Sequence, residues 1–139
     1  MRAIPLVAAV MVAVLCGGCK DMLKGHEQGA MGVEDFHKLY NAEKYAEIFT
    51  SADPDFGKSV TLPDFKKFLD AVHRKLGPVT GSTEDGWRIN SLNGKTYVSL
   101  SQKTEFEKGV AVESFTFVMH DGQALLYNYN VNSRALIEN

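Results

Sequence analysis

The chain has 139 residues, with 15 Lys+Arg against 17 Asp+Glu and a formal net charge of −2. Nucleic-acid binding needs a concentrated basic face, and none is visible, so that class is set aside. The two cysteines stand at 16 and 19, which excludes a disulfide, a thiol nucleophile or a cysteine metal site in everything that follows.

At the start, Arg2 precedes an apolar stretch from Ala3 to Leu15, and small residues then run into Cys19. That order is the layout of a secretory signal peptide. The apolar stretch is about 13 residues, short of the roughly 20 needed to cross a bilayer core, which argues against a retained span. The ending Leu15-Cys16-Gly17-Gly18-Cys19 resembles the lipobox of bacterial lipoproteins, with Cys16 where a branched apolar residue usually stands. The resemblance implies a leader over 1–18, lipid attachment at Cys19 through diacylglycerol and a fatty acid such as palmitate, and residence in the cell envelope. Lys20 rather than Asp follows the cysteine, which by the same resemblance favours the outer membrane, facing the periplasm.

From Lys20 to Gly32 the chain has three glycines and no sustained period. The segment 19–32 reads as a lipidated flexible tether, spanning roughly 20 Å root-mean-square, with His26 a solvated linker residue. The remainder, 33–139, is roughly 107 residues, enough for one domain with a single core.

Within that domain, Phe36, Leu39, Ala42, Ala46 and Phe49 recur at helical spacing and predict an amphipathic helix over 33–50. Thr61-Leu-Pro-Asp64 predicts a capped start to a second helix. Leu62, Phe65, Phe68, Leu69, Val72 and Leu76 carry its period, and Gly77-Pro78 ends it. The period then changes to two. Trp87 and Ile89 lead to Asn93-Gly94, a strong hairpin signal. Strands follow over Tyr97 to Phe106, Val110 to His120 and, after a tight turn at Asp121-Gly122, Ala124 to Val131, the last with Leu125, Tyr127, Tyr129 and Val131 aligned. The prediction is an α+β domain in which two N-terminal helices cover a four-stranded antiparallel meander.

Gly86-Trp87, Gly94-Lys-Thr-Tyr-Val98, Thr104-Glu105-Phe106-Glu-Lys-Gly109 and Tyr129-Asn-Val-Asn-Ser133 resemble small exported bacterial families of unknown function in the nuclear-transport-factor-two-like (cystatin-like cone) group. The resemblance implies a cone-shaped fold. Function stays open, because that group includes isomerases, dehydratases, ligand carriers and docking domains.

Asp53, Asp55 and Asp64 lie at positions 1, 3 and 12 of a loop that looks like a calcium site, but Gly57 falls at position 5 instead of 6. The turn is out of register, and Thr61 with Asp64 already serves a helix start, so an ordinary connection is expected and no metal. Acid–base chemistry needs a carboxyl or imidazole facing a hollow. Asp35, His37, Tyr40 and His120 are the available types; His37, His73 and His120 read as solvated or dipole-complementing. Phosphate loops and hydrolase or zinc-protease motifs are missing from the sequence. Tyr40, Trp87, Tyr97 and Tyr127 are candidates to line a ligand pocket. Ser99, Ser101, Lys103, Glu105, Asn128, Asn130 and Asn132 form a polar outer sheet face open to an envelope protein or glycan.

The sequence therefore leads to a membrane-anchored, monomeric envelope lipoprotein that binds a small ligand or a protein, without cofactor, catalytic residues or nucleic acid. The alternative is a small isomerase- or dehydratase-like enzyme using the cone as an acid–base pocket.

Overall fold

The computed structural model describes residues 17–138, with side chains from Lys20 onward. The expected leader lies outside the described residues but for its last two positions. The molecule is α+β: an open four-stranded antiparallel sheet in the order β1-β2-β3-β4, with helices on one face. The strands are β1 (Val79–Leu92), β2 (Lys95–Phe106), β3 (Gly109–His120) and β4 (Gln123–Asn132); the helices are α1 (Gly17–Asn41), α2 (Tyr45–Ser51), α3 (Phe56–Ser59), α4 (Leu62–Leu76) and α5 (Arg134–Glu138). The expected meander is present. Among the described residues, five helical segments stand where a pair of helices is expected.

The hairpin signals act as expected. Asn93-Gly94 and Asp121-Gly122 both take positive φ, the twist that a two-residue turn needs to match right-twisted strands. Strand β1 begins eight residues before Trp87, because its first half carries the polar residues Thr80 to Gly86 and gives no hydrophobic alternation. In β4 a register shift against Thr116/Phe117 breaks the predicted single face. Leu126, Tyr129 and Val131 join the core, whereas Tyr127 meets Tyr97 edge-on, ring centres 5.2 Å apart, on the opposite face.

The second predicted helix matches α4 closely. The Thr61 side chain accepts from the Asp64 amide, Pro63 sits in the first turn, and Gly77 closes the helix at φ 78 with its amide bonded to the His73 carbonyl. Phe65, Leu69, Val72 and Leu76 are buried beneath it.

Residues 20–32 depart most from expectation. They are helical, forming the first half of α1, and not a flexible coil. Three glycines in sequence weaken a helix by roughly 1 kcal/mol each, but here they share one face and let the helix settle onto the sheet. A Cβ would come 3.1 Å from the Ile89 Cδ1 atom at Gly25, 2.7 Å from Leu100 Cδ1 at Gly29 and 2.6 Å from Phe117 Cε1 at Gly32. Farther along, α1 packs through large groups: Val33, Phe36 and Tyr40 are buried, and Phe36 lies 5.1 Å from the Phe115 ring centre. The helix predicted to run to residue 50 stops at Asn41. Glu43 takes φ 56, and the chain reverses into α2, which lies beside α1.

Candidate functional site

Between α1 and the middle of the sheet lies a buried carboxylate. Glu113 alternates along β3 with Ala111 and Phe115, all facing the helices, and is 1% exposed. Its oxygens have three partners. Oε1 lies 2.7 Å from His37 Nε2 and accepts from the Thr104 hydroxyl at 2.6 Å; Oε2 accepts from the Tyr129 hydroxyl at 2.5 Å. The chain of polar contacts continues outward, with Ser82 Oγ 3.0 Å from Thr104 Oγ1 and 2.9 Å from Gln102 Oε1. A buried carboxylate is tolerable only when paired and hydrogen-bonded, and this one is both.

The network sets the protonation of its tyrosine. Burial, and then the adjacent Glu113 charge, push the Tyr129 hydroxyl well above its ordinary range. Burial, with smaller contributions from Tyr45, Glu113 and Glu43, also raises Tyr40, whose hydroxyl donates to the Gly77 carbonyl at 2.9 Å. Both remain neutral donors at physiological pH. Chemically the cluster can hold a proton between an imidazole and a carboxylate, but all of its carboxylate contacts are internal.

A more enclosed concavity lies apart from this cluster. A groove of about 320 Å³ runs between α1, α2 and the β3–β4 hairpin; Phe36, Leu39, Ile48, Phe117, Ala124 and Leu126 supply apolar walls, and Gln28, Asp35, Ser51 and Gln123 supply polar ones. The turn at Glu43 creates it, because swinging α2 back beside α1 brings Leu39 and Ile48 onto one wall. A more open hollow of about 460 Å³ on the opposite sheet face is lined by Trp87, Arg88, Ser99, Ser101, Ser114 and Thr116; of these, Ser99 and Ser101 belong to the predicted polar face and Trp87 to the predicted pocket aromatics.

The residues singled out by sequence are dispersed. Of the proposed pocket aromatics, Tyr40 is in the core, Trp87 stacks on His26 at 4.4 Å, and Tyr97 and Tyr127 touch each other; none of the four lines the groove. Asp35 does. His26 and His37, read as solvated, each meet a carboxylate: His26 lies 2.7 Å from Glu84, and His37 joins Glu113. His120 lies 2.6 Å from Asp53, and His73 lies 4.0 Å from Glu43 at the end of α4. The suspected calcium loop has other uses for its oxygens. Asp53 accepts from the Asp55 amide at 2.9 Å as well as contacting His120, and Lys58 beside Asp55 holds that carboxyl below its usual range. Glu113 itself was missed, although its parity with Phe115 and Phe117 was the available signal: a charge on the inward face of a strand.

Among the described residues no cluster of His, Cys, Asp and Glu is arranged to hold a metal, and no helix is long and apolar enough to cross a membrane. Compared with protein-family models the chain matches none, and no curated protein matches it either.

Proposed function

We propose that the protein is an envelope lipoprotein, acylated at Cys19, that binds an apolar ligand or peptide segment with a polar end in the groove between α1, α2 and the β3–β4 hairpin. The observation that carries this reading is the groove's construction: an apolar floor with amide and carboxylate groups at its edge is the usual form of a small-ligand site. The interior that a cone-type enzyme would leave hollow is instead occupied, since the glycine face of α1 rests against Ile89, Leu100 and Phe117. The sequence resemblance to the cystatin-like cone group agrees with helices laid on one face of a meander.

Binding of the apolar fluorophore N-phenyl-1-naphthylamine tests the groove. The expected result is fluorescence enhancement in the natural chain and its loss in Ala124→Trp, which fills the groove from its wall; equal enhancement in both, or none in either, would overturn the reading. The anchor is tested separately, because Cys19→Ser should lose membrane partitioning. One observation favours the alternative of an acid–base enzyme, namely the buried Glu113–His37–Tyr129 cluster. Turnover of a carbonyl substrate that disappears in Glu113→Gln while groove binding persists would favour it.

A further inference from the structure

We infer that the end of the molecule bearing the β1–β2 and β3–β4 hairpin tips and the first turns of α1 rests directly on a lipid bilayer. This inference depends on the reading of Cys19 as the acylated residue, and it follows from replacing a coil by a helix at 20–32. A coil would let the domain hang at any angle. A helix that is packed on the sheet from Gly25 onward does not.

The geometry fixes which end faces the lipid. Gly25 lies against Ile89 and Val98, a cross-strand pair located three residues before the β1–β2 turn, so about 10 Å from its tip. Cys19 precedes Gly25 by six helical residues, about 9 Å along the axis. The acylated position is thus level with the hairpin tip. Lys24 lies beside the other tip, where a Cβ at Gly122 would be 3.3 Å from its Nζ. At the opposite end of α1, Asn41 is bonded to both backbone groups of Val79, so the helix axis runs the length of the strands.

The surface at this end suits an interface. Within one turn of Cys19, Met22 and Leu23 are 49% and 64% exposed, and Leu92 on the β1–β2 tip is 63% exposed. Lys20, Lys24 and Lys95 are interleaved with them, offset by Asp21 and Asp121. Apolar groups ringed by near-balanced charge fit shallow entry into the headgroup layer of a neutral bilayer, with little demand for anionic lipid. Met31, Phe68, Trp87, Val110, Val112 and Ile137 are also exposed, but they are scattered over the middle of α1 and β1, α4, the far end of the sheet and α5, whereas Met22, Leu23 and Leu92 gather at the anchor end.

The test uses the acylated mature protein, in which Cys19 is blocked, with a single new cysteine carrying a nitrobenzoxadiazole label at Leu92→Cys or, at the other end, Lys108→Cys. Each is incorporated into phosphatidylcholine vesicles containing a headgroup-level nitroxide lipid, with or without phosphatidylglycerol. The expected result is quenching about twofold or more greater at position 92 than at 108, in both lipid mixtures, as shallow burial of that tip requires. A Met22→Ser/Leu23→Ser variant, altered only at exposed positions, should still float with vesicles but lose part of the quenching at 92. Flotation with equal or reversed quenching overturns the orientation and leaves the anchor standing. Quenching at 92 that appears only with phosphatidylglycerol overturns the apolar contact in favour of charge attraction. Failure to float overturns the anchor reading itself, and the orientation with it.

Discussion

The two halves of α1 reach the same sheet by opposite means. From Gly25 to Gly32 the helix approaches by having no side chain at the contact, and from Phe36 to Tyr40 by interlocking aromatic rings and a histidine with what lies below. In the first half the histidine–carboxylate contact, His26 with Glu84, stays at the surface, whereas in the second it is buried, because His37 closes the ring of donors around Glu113. A single helix therefore tolerates different errors along its length: added volume should injure the first half, and lost polarity the second.

The largest effect should come from the polar half. Glu113→Ala removes the shared acceptor of His37, Thr104 and Tyr129, and breaking a buried pair in this way costs about 3–5 kcal/mol; urea denaturation would measure it. Glu113→Gln keeps the shape and some acceptor capacity, so a smaller loss of about 1–3 kcal/mol is expected. If the two variants are equally damaging, charge rather than hydrogen bonding dominates the site.

Next comes overpacking in the apolar half. Gly32→Val places atoms inside the Phe117 ring envelope, and about 1–3 kcal/mol should be lost, seen as a lower thermal midpoint. Gly29→Ala should cost less, because it adds a single carbon, although that carbon meets the buried Leu100 Cδ1 at 2.7 Å and Val98 Cγ1 at 3.0 Å. A Gly29→Ala variant as unstable as Gly32→Val would mean that the helix is held more rigidly than the contacts imply. Smaller still, Thr61→Ala should remove about 1 kcal/mol through loss of the α4 cap, without altering either half of α1.

The tyrosines provide a contrast in pH dependence. Tyr40 and Tyr129 are raised above the ordinary tyrosine range, and burial, aided by Glu43 and Asp70, pushes Tyr45 up to about 12. The folded chain therefore retains phenolic protons that the unfolded chain releases near pH 10. Their contribution to stability is complete below that pH and declines as pH rises through about 10 to 12 and beyond. Unfolding free energies measured from pH 8 to 11 should fall only at the alkaline end, and Tyr129→Phe should flatten part of the decline.

These contrasts explain what the sequence made legible. Signals confined to a few neighbouring residues were readable: the Thr61 cap, the Gly77 stop, and the Asn93-Gly94 and Asp121-Gly122 turns. The glycines at 25, 29 and 32 carry the opposite meaning locally from the one they have in the fold, since only the sheet turns their missing side chains into contact surface. The break at Glu43 escaped because the apolar spacing continues across it into α2. The extra residue at Tyr127 changed which β4 side chains face inward, which no alternation count within that strand could show. The site was the least legible part. His26, His37 and His120 meet carboxylates 58, 76 and 67 positions away, and the groove exists only because a turn folds α2 against α1.

The glycine face of α1 also constrains the order in which the chain can assemble. A segment with three glycines among so few residues has little helical persistence in isolation, and its partners Ile89, Leu100 and Phe117 are synthesised about 60 to 90 residues later, a separation that delays such contacts. The meander, joined by tight local turns, can form first and present a template. α1, made before the sheet it packs on, is then expected to acquire its final shape after it.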